Sequence, residues 1–393
     1  MKKNIAIIIQ KLNGGGAERT AANLSLFFAD KYNVHLIVFD GSDIKYPYGG
    51  TLHDLKLKPS KSKLGKAIVF LKRVAAVKRI KKKFNITTSI SLMDGANAVN
   101  VFSRRGEKVI TSVRNQMSKS RFSSSFSKKC NLFFMKYIEK RSDLIVSLSQ
   151  GVKDDLVNNF GILEEKVVTI YNPCDGELLA KKALLHKAAA ADMPEFSITT
   201  MGRCVKQKGQ WHLIRAFAKV VEVIPKARLY VLGEGPLFEQ LEGLAKDLGV
   251  AENIVFPGYV EAPHAFIANS KVFVFPSLFE GLGNVILEAM ACGTPCVCAD
   301  CFSGPREIIA PKTPVREKLT EIEYAQYGIL TSVGGEDILP ANVPLSSDEE
   351  QLTKAIIQLL QDEELRQKYS RASLERSKDF LPSVIMEQWD LVL

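Results

Sequence analysis

Short apolar runs alternate along the chain with longer amphipathic stretches. The first run, Ile5-Ala6-Ile7-Ile8-Ile9, is β-branched and uninterrupted, which predicts a strand buried on both faces. Similar runs at 34–39, 90–92, 109–112, 144–147 and 167–170 continue the series, with helical stretches between them. The first of these helices is predicted over 17–30. A second series follows at 196–201, 227–232, 254–256, 272–275 and 295–298, with helices near 211–222, 236–248 and 284–291. Residues 349–378 read as strongly helical, and 380–393 as a last short helix carrying Trp389. The pattern predicts an α/β chain of two doubly wound, Rossmann-like domains facing a cleft. Their expected bounds are 1–175 and 196–379, joined by a strandless linker at 176–195 and followed by the terminal helix.

Composition agrees with that picture. A length of 393 residues allows two domains, each large enough for its own core. With 46% hydrophobic and 24% charged residues, the chain is not of the disordered class. No apolar segment approaches the length of a bilayer span, and the opening run is too short for a signal peptide's apolar region. The expectation is therefore a cytoplasmic protein, free or peripheral at the inner face of a membrane. Cys292, Cys296, Cys298 and Cys301 cluster, but Cys296-Val297-Cys298 reads as buried strand rather than zinc knuckle.

Charge is unevenly placed. Residues 1–175 hold 31 Lys and Arg against 14 Asp and Glu, a net +17, although the whole chain carries only +10. The stretch 61–83 alone has ten basic residues and no acid, including Lys72, Arg73, Lys78, Arg79, Lys81, Lys82 and Lys83. Leu64, Ile68, Leu71, Val74, Ala75 and Ile80 recur there at near-helical spacing, which predicts a basic amphipathic helix suited to an anionic membrane surface. A solvated basic face packed normally on its sheet is the alternative. A second basic stretch over 114–141 interleaves Phe122, Phe126, Phe133, Phe134 and Tyr137. Nucleic-acid binding would also use such charge, but no nucleic-acid module is recognisable and none is expected as a partner.

The candidate chemistry lies in loops that follow strands. Gly14-Gly15-Gly16-Ala17-Glu18-Arg19 joins the first strand to the first helix, and its glycines allow close approach of a phosphate or an acceptor. It lacks the third glycine of the dinucleotide fingerprint, and a purely structural turn is the alternative. In the second series, Gly202-Arg203-Cys204-Val205-Lys206-Gln207-Lys208-Gly209 brings Arg203 and Lys208 to one loop, a pair suited to a diphosphate leaving group. The segment from Pro276 to Met290 places Glu280 in a loop and Glu288 on the helix that follows. Gly281, Leu282, Gly283 and Asn284 lie between them at the helix start. Carboxylates suit sugar hydroxyls and a helix start suits phosphate, and a nucleotide-sugar carries both.

Over essentially its whole length the chain resembles the family-4 (group 1) retaining glycosyltransferases of the GT-B fold. The residues that carry the likeness are Gly14 to Arg19, Gln150-Gly151-Val152, Tyr171-Asn172-Pro173, Gly202 to Gly209, Gly233-Glu234-Gly235-Pro236 and Pro276 to Pro295. Glu280 and Glu288 match the family's Glu-x7-Glu signature. The resemblance implies that Arg203 and Lys208 bind the donor diphosphate, that Glu280 holds donor-sugar hydroxyls and that Glu288 holds the ribose. Leu282 and Gly283 would meet the phosphates through backbone N–H groups, with Gly202 and Asn284 beside the same site. Gly16 would approach the diphosphate from the first domain, Gly233, Gly258 and Tyr259 would lie near the base, and Glu18 and Arg19 would face the acceptor. The last helix would cross back to the first domain.

Many members place a histidine after the fourth apolar run, where this chain has Arg114-Asn115 instead. The expectation is that Arg114 contacts a donor or acceptor phosphate and Asn115 a sugar hydroxyl. The implied activity is retaining hexosyl or N-acetylhexosaminyl transfer from a nucleotide-sugar co-substrate, a UDP-sugar by expectation. The acceptor would be a lipid-linked or surface-polysaccharide glycan, as in lipopolysaccharide assembly. No Asp-x-Asp pair is present, and neither a metal nor another cofactor is expected. A nucleotide-sugar epimerase on the same fold is the rival enzyme reading.

Overall fold

The computed structural model describes residues 2–118, 125–314 and 319–393. They divide into two compact units: Met1–Asn172 with Ile385–Leu393, and Pro173–Val384.

The first unit runs β1 (Asn4–Ile9), α1 (Gly16–Ala29), β2 (Asn33–Val38), β3 (Thr51–Asp54), α2 (Lys63–Lys83), β4 (Thr88–Leu92), α3 (Asp94–Phe102), β5 (Lys108–Val113), α4 (Ser125–Arg141), β6 (Leu144–Ser147), α5 (Gln150–Phe160) and β7 (Val167–Thr169). Its seven-stranded sheet has the order β3-β2-β1-β4-β5-β6-β7 and is parallel throughout. Helices cover both faces, so the central strands must be apolar on both sides. Ile5 to Ile9 are accordingly all fully buried.

β4 breaks the apolar rule. Ser89 and Ser91 are buried, and the polar residues of α3 serve this strand. The Ser91 hydroxyl donates to Asn97 Oδ1 (2.9 Å), Asn97 Nδ2 donates to the Ser112 carbonyl (3.0 Å), and Asn100 Nδ2 donates to the Ser89 carbonyl (3.2 Å). Buried polar groups stay folded only when so paired, and here the pairing fastens α3 to β4 and β5. The expected 90–92 strand is thus extended backwards through Thr88 and Ser89.

The second unit runs α6 (Gly176–Leu185), β8 (Ser197–Met201), α7 (Gln210–Val223), β9 (Arg228–Leu232), α8 (Phe238–Asp247), β10 (Ile254–Gly258), α9 (Pro263–Ala268), β11 (Val272–Phe275), α10 (Asn284–Ala291), β12 (Cys296–Ala299), α11 (Pro305–Ile309), β13 (Glu323–Tyr324), β14 (Ile329–Thr331), α12 (Ser347–Gln361) and α13 (Glu363–Ser377); α14 (Pro382–Leu391) follows and belongs to the first unit from Ile385 onward. Sheet order is β10-β9-β8-β11-β12-β14-β13, parallel except for the edge strand β13. The stretch 176–195, read from the sequence as a linker, carries α6, which packs on α9 and α10 of this unit through buried Leu179 and Ala183. The long helix expected over 349–378 is two helices. Asp362 leaves the helical region (φ −93°, ψ 99°) and its carboxylate caps Leu365 N–H, which ends α12 and starts α13.

Residues 385–393 return to the first unit's core. Ile385, Met386 and Trp389 are buried among Ile5, Ile7, Ile9 and Leu36. Asp390 adds contacts to Lys31 Nζ (2.6 Å) and the Tyr32 hydroxyl (2.7 Å), and these hold its carboxyl below the usual range. Because the indole of Trp389 is wholly enclosed, Trp389→Ala should destabilise the protein by about 3–5 kcal/mol. Urea denaturation followed by far-UV circular dichroism measures this, and a loss under about 1 kcal/mol would contradict the packing.

Candidate functional site

In both sheets the strand order reverses beside the first strand of the unit, at β1/β4 and at β8/β11. Loops leaving the two strands at such a point diverge to opposite faces and open a crevice at the carboxyl edge. In the second unit those loops are Gly202 to Gly209, after β8, and Pro276 to Gly283, after β11.

The two loops are tied together. Leu278 N–H donates to the Gln207 carbonyl (2.8 Å), and Gln207 Nε2 donates to the Phe279 carbonyl (3.0 Å). Gly209 sits at φ +59°, and a Cβ there would lie 2.4 Å from the Pro276 carbonyl oxygen, so only glycine allows this approach. The product is an ion pair: Lys208 Nζ lies 2.5 Å from Glu280 Oε1, with both side chains largely buried and the ammonium 5.4 Å over the Phe275 ring. Two residues 72 positions apart are thus brought together. Arg203 is exposed on the same loop.

Glycines line the neighbouring strand ends. Gly202 N–H donates to the Leu232 carbonyl, and Gly233 N–H donates to that of Gly258 (2.8 Å). A Cβ on Gly233 would fall 2.2 Å from the Gly202 carbonyl oxygen. Gly202, Gly233 and Gly258 therefore form one side-chain-free ledge, and exposed Tyr259 donates its N–H to Glu234 Oε1 (3.2 Å) at its end. Gly281, Leu282 and Gly283 are buried and lead into α10, with Asn284 as its first residue.

Two contacts of this site were not assigned from the sequence. Glu288, on α10, meets His264 Nε2 of α9 at 3.0 Å, a contact made by folding between residues 24 apart. Ser303 adopts φ +74° and donates its hydroxyl to the Gly281 carbonyl (2.9 Å), so the loop after β12 holds the α10 entry in place. Cys296, Cys298 and Cys301 are buried, and Cys292 is half-buried. Burial pushes the Cys292 thiol up to about 12 and those of Cys296, Cys298 and Cys301 higher still, and no group of metal-ligating residues occurs among the described residues.

The first unit departs from expectation at Arg114. Its guanidinium is buried, donating to Ser112 Oγ (3.3 Å), Thr20 Oγ1 (3.2 Å) and Asn172 Oδ1. Burial lowers its pKa to about 9. Arg114 thus joins α1 to the ends of β5 and β7 from inside instead of reaching outward to a phosphate, while Asn115 is exposed. Gly16 is the first residue of α1, after the Gly15 N-cap. The Glu18 carboxylate folds back over the turn: a Cβ on Gly15 would lie 2.1 Å from Glu18 Oε2. Arg19 is half-buried on the same turn.

Two of the basic residues assigned to a membrane surface are also corrected. Lys81 is 2% exposed and its ammonium contacts Glu107 Oε1 (2.7 Å), Asn100 Oδ1 (2.7 Å) and the Asn100 carbonyl (3.0 Å). Burial lowers its pKa to about 8, although Glu107 acts in the opposite sense. Arg73 spends Nε and Nη2 on the Leu57 carbonyl and lies over the Phe39 ring. Lys72, Lys78, Arg79, Lys82 and Lys83 stay exposed. In the second basic stretch, Phe122 lies outside the described residues, as do its neighbours Lys119 and Arg121. Lys81→Ala should cost about 3–5 kcal/mol, because Glu107 is left charged and unpaired in the interior. Lys82→Ala should stay within about 0.5 kcal/mol. Denaturation curves for the two variants test the assignment, and equal stabilities would refute it.

Comparison with known proteins identifies the family. Residues 14–178 match Glycosyltransferase Family 4, and residues 181–315 match Glycosyl transferases group 1. The chain is 32% identical over 338 residues to an uncharacterized glycosyltransferase of Methanocaldococcus jannaschii, spanning 82% of this chain and 83% of that protein. It is 28% identical over 383 residues, 96% of each chain, to the N-acetylgalactosamine-N,N'-diacetylbacillosaminyl-diphospho-undecaprenol 4-alpha-N-acetylgalactosaminyltransferase of Campylobacter jejuni. In fold it is similar to Anabaena HepE, solved in complex with UDP and glucose, with a TM-score of 0.76 at 19% identity over 100% of this chain and 99% of that one. Two Rossmann-like units, the paired signature residues and a relative this similar over most of its length place the chain among the group 1 glycosyltransferases of the GT-B fold.

Proposed function

We infer that the protein transfers a sugar, with retained configuration and without a metal, from a UDP-sugar to a lipid-linked glycan at the cytosolic face of a membrane. The observation that carries the donor half is the Lys208–Glu280 pair at the second unit's switch point. In this pair each charge is neutralised by the other. An incoming donor offers Lys208 a diphosphate and Glu280 a set of sugar hydroxyls, so binding exchanges one ion pair for two matched contacts. Exposed Arg203 adds a second cation, and the start of α10 adds backbone dipoles. His264 orients the Glu288 carboxylate for the ribose.

As the anomeric C–O bond breaks, negative charge builds on the diphosphate, where Lys208 and Arg203 stabilise it. The acceptor hydroxyl forms the new glycosidic bond from the same face, and its proton passes to a departing phosphate oxygen. The uridine assignment is supported by the UDP bound in the HepE structure. The acceptor assignment is supported by the undecaprenyl-diphosphate glycan in the name of the C. jejuni relative.

Membrane attachment rests on α2. Leu64, Ile68 and Leu71 fall on successive turns and are 73%, 45% and 65% exposed, while Phe70, Val74 and Val77 face the sheet. The exposed apolar stripe lies among cations with no acid on the helix, an arrangement that favours an anionic bilayer surface over bulk water. No helix of the described residues is long and apolar enough to cross a membrane.

A screen of UDP- and GDP-sugars, read by nucleotide release, identifies the donor, and a GDP-sugar preference would overturn the uridine assignment. Glu280→Ala and Arg203→Ala should each lower kcat/KM about a hundredfold or more with unchanged melting temperature. Wild-type turnover in either variant would remove the site. Replacing Leu64, Ile68 and Leu71 together by Ser should abolish sedimentation with phosphatidylglycerol vesicles while donor binding persists, and unchanged sedimentation would refute the docking helix.

A further inference from the structure

The first sheet has its own switch point, between β1 and β4, and the residue that follows β4 there was not singled out by any sequence motif. Met93 turns the chain from β4 into α3 at φ +79°, a conformation that side-chain-bearing residues avoid. The turn delivers Asp94 as the first residue of α3. Gly95 beside it faces the loop after β1, where an added Cβ would come 2.6 Å from Gln10 Nε2. Asn97 and Asn100, bonded to β4 and β5, keep the helix fixed, so the position of Asp94 is rigidly determined.

Asp94 opens on a cavity of about 490 Å3 between α2, α3 and α4. Its walls are apolar and aromatic, chiefly Phe70, Ala98 and Phe134. Phe102 packs edge-on to Phe70 (5.7 Å) and stacks on Phe134 (6.0 Å), so these rings form one braced group. Desolvation of the carboxyl against these walls raises its pKa above the ordinary value, although Asp94 as a residue stays exposed. Arg73 also lines the cavity, but its guanidinium is committed to the Leu57 carbonyl.

These features select an occupant. A phosphate would face the Asp94 carboxylate with Arg73 already engaged, which leaves Lys66, itself exposed to solvent, as the lining cation that could meet it. A hydrocarbon chain would leave that carboxylate desolvated without a partner. A sugar ring satisfies both surfaces: its hydroxyls donate to an acceptor-only carboxylate, and its C–H face packs on aromatic rings.

We propose that this cavity seats a ring of the acceptor glycan, with a ring hydroxyl donating to Asp94 and the ring's apolar face against Phe70 and Phe134. The proposal rests on the transferase reading above and supplies its acceptor half. It makes Asp94 the residue that selects acceptors by the orientation of one hydroxyl.

The test uses octyl N-acetyl-α-galactosaminide as probe, with UDP in the same sample, observed by saturation-transfer NMR on the full chain. Saturation of the sugar-ring protons is expected in the wild type. Apparent affinity should fall about tenfold in Asp94→Asn, the loss expected for one hydrogen bond to a charged group. It should fall also in Phe134→Ser, a change at a ring 40% exposed, where folding is not at risk. UDP signals should be the same in all three proteins, which also shows that the variants are folded. Absence of ring saturation in the wild type, equal affinity in Asp94→Asn, or saturation confined to the octyl chain would each overturn the proposal. Loss of UDP binding with ring saturation intact would instead refute the donor reading and leave the cavity assignment standing.

Discussion

A parallel sheet sends the loops after its strands to one edge, and that constraint organises both halves of this protein. Where the strand order reverses, adjacent loops leave to opposite faces and cannot close over the gap. The second sheet fills its gap with the Lys208–Glu280 pair, and the first brings Gly95, next to Asp94, up to Gln10. Neither arrangement needs a special element. Each follows from apolar strands that must be covered on both faces, which forces helical crossovers and hence parallel pairing.

Charge in this chain acts according to its depth more than its amount. The basic excess of residues 1–175 serves at least three ends. Exposed lysines on α2 surround an apolar stripe, Lys81 is enclosed with Glu107, and Arg114 is enclosed beside the hydroxyls of Ser112 and Thr20 and the amide oxygen of Asn172. Arg114 donates through Nη1 and Nη2 and so joins three segments distant in sequence. In the second unit, Lys208 and Glu280 are shielded enough to attract each other, yet keep some contact with solvent. Such a pair is stable without ligand and remains open to exchange.

The strands and the donor motifs were legible because their signals are local. Ile5 to Ile9 announce a doubly covered strand, and Gly202 to Gly209 and Pro276 to Glu288 announce loops built to approach an anion. Less legible were elements whose stability comes from neighbours. β4 has two serines among its five residues and becomes a strand because α3 supplies Asn97 and Asn100. Residues 176–195 lack strand character, but α6 within them is helical because Leu179 and Ala183 find α9 and α10. The break at Asp362 was hidden in a helical composition until the capping geometry selected it.

By itself, then, the sequence determined the periodic order of strands and helices, the glycines that must meet other backbones, and the residue types that a nucleotide-sugar requires. Those depend on spacing along the chain, which is fixed covalently. Tertiary structure alone decided which ionisable groups face inward. Lys81 and Lys82 are neighbours of one type in one helix, yet one is sealed against Glu107 and the other lies in solvent. It also decided that Arg114 braces the interior, that His264 meets Glu288, and that Asp94 opens on an aromatic cavity. Desolvation and pairing depend on atoms brought from distant positions, and no local pattern encodes them.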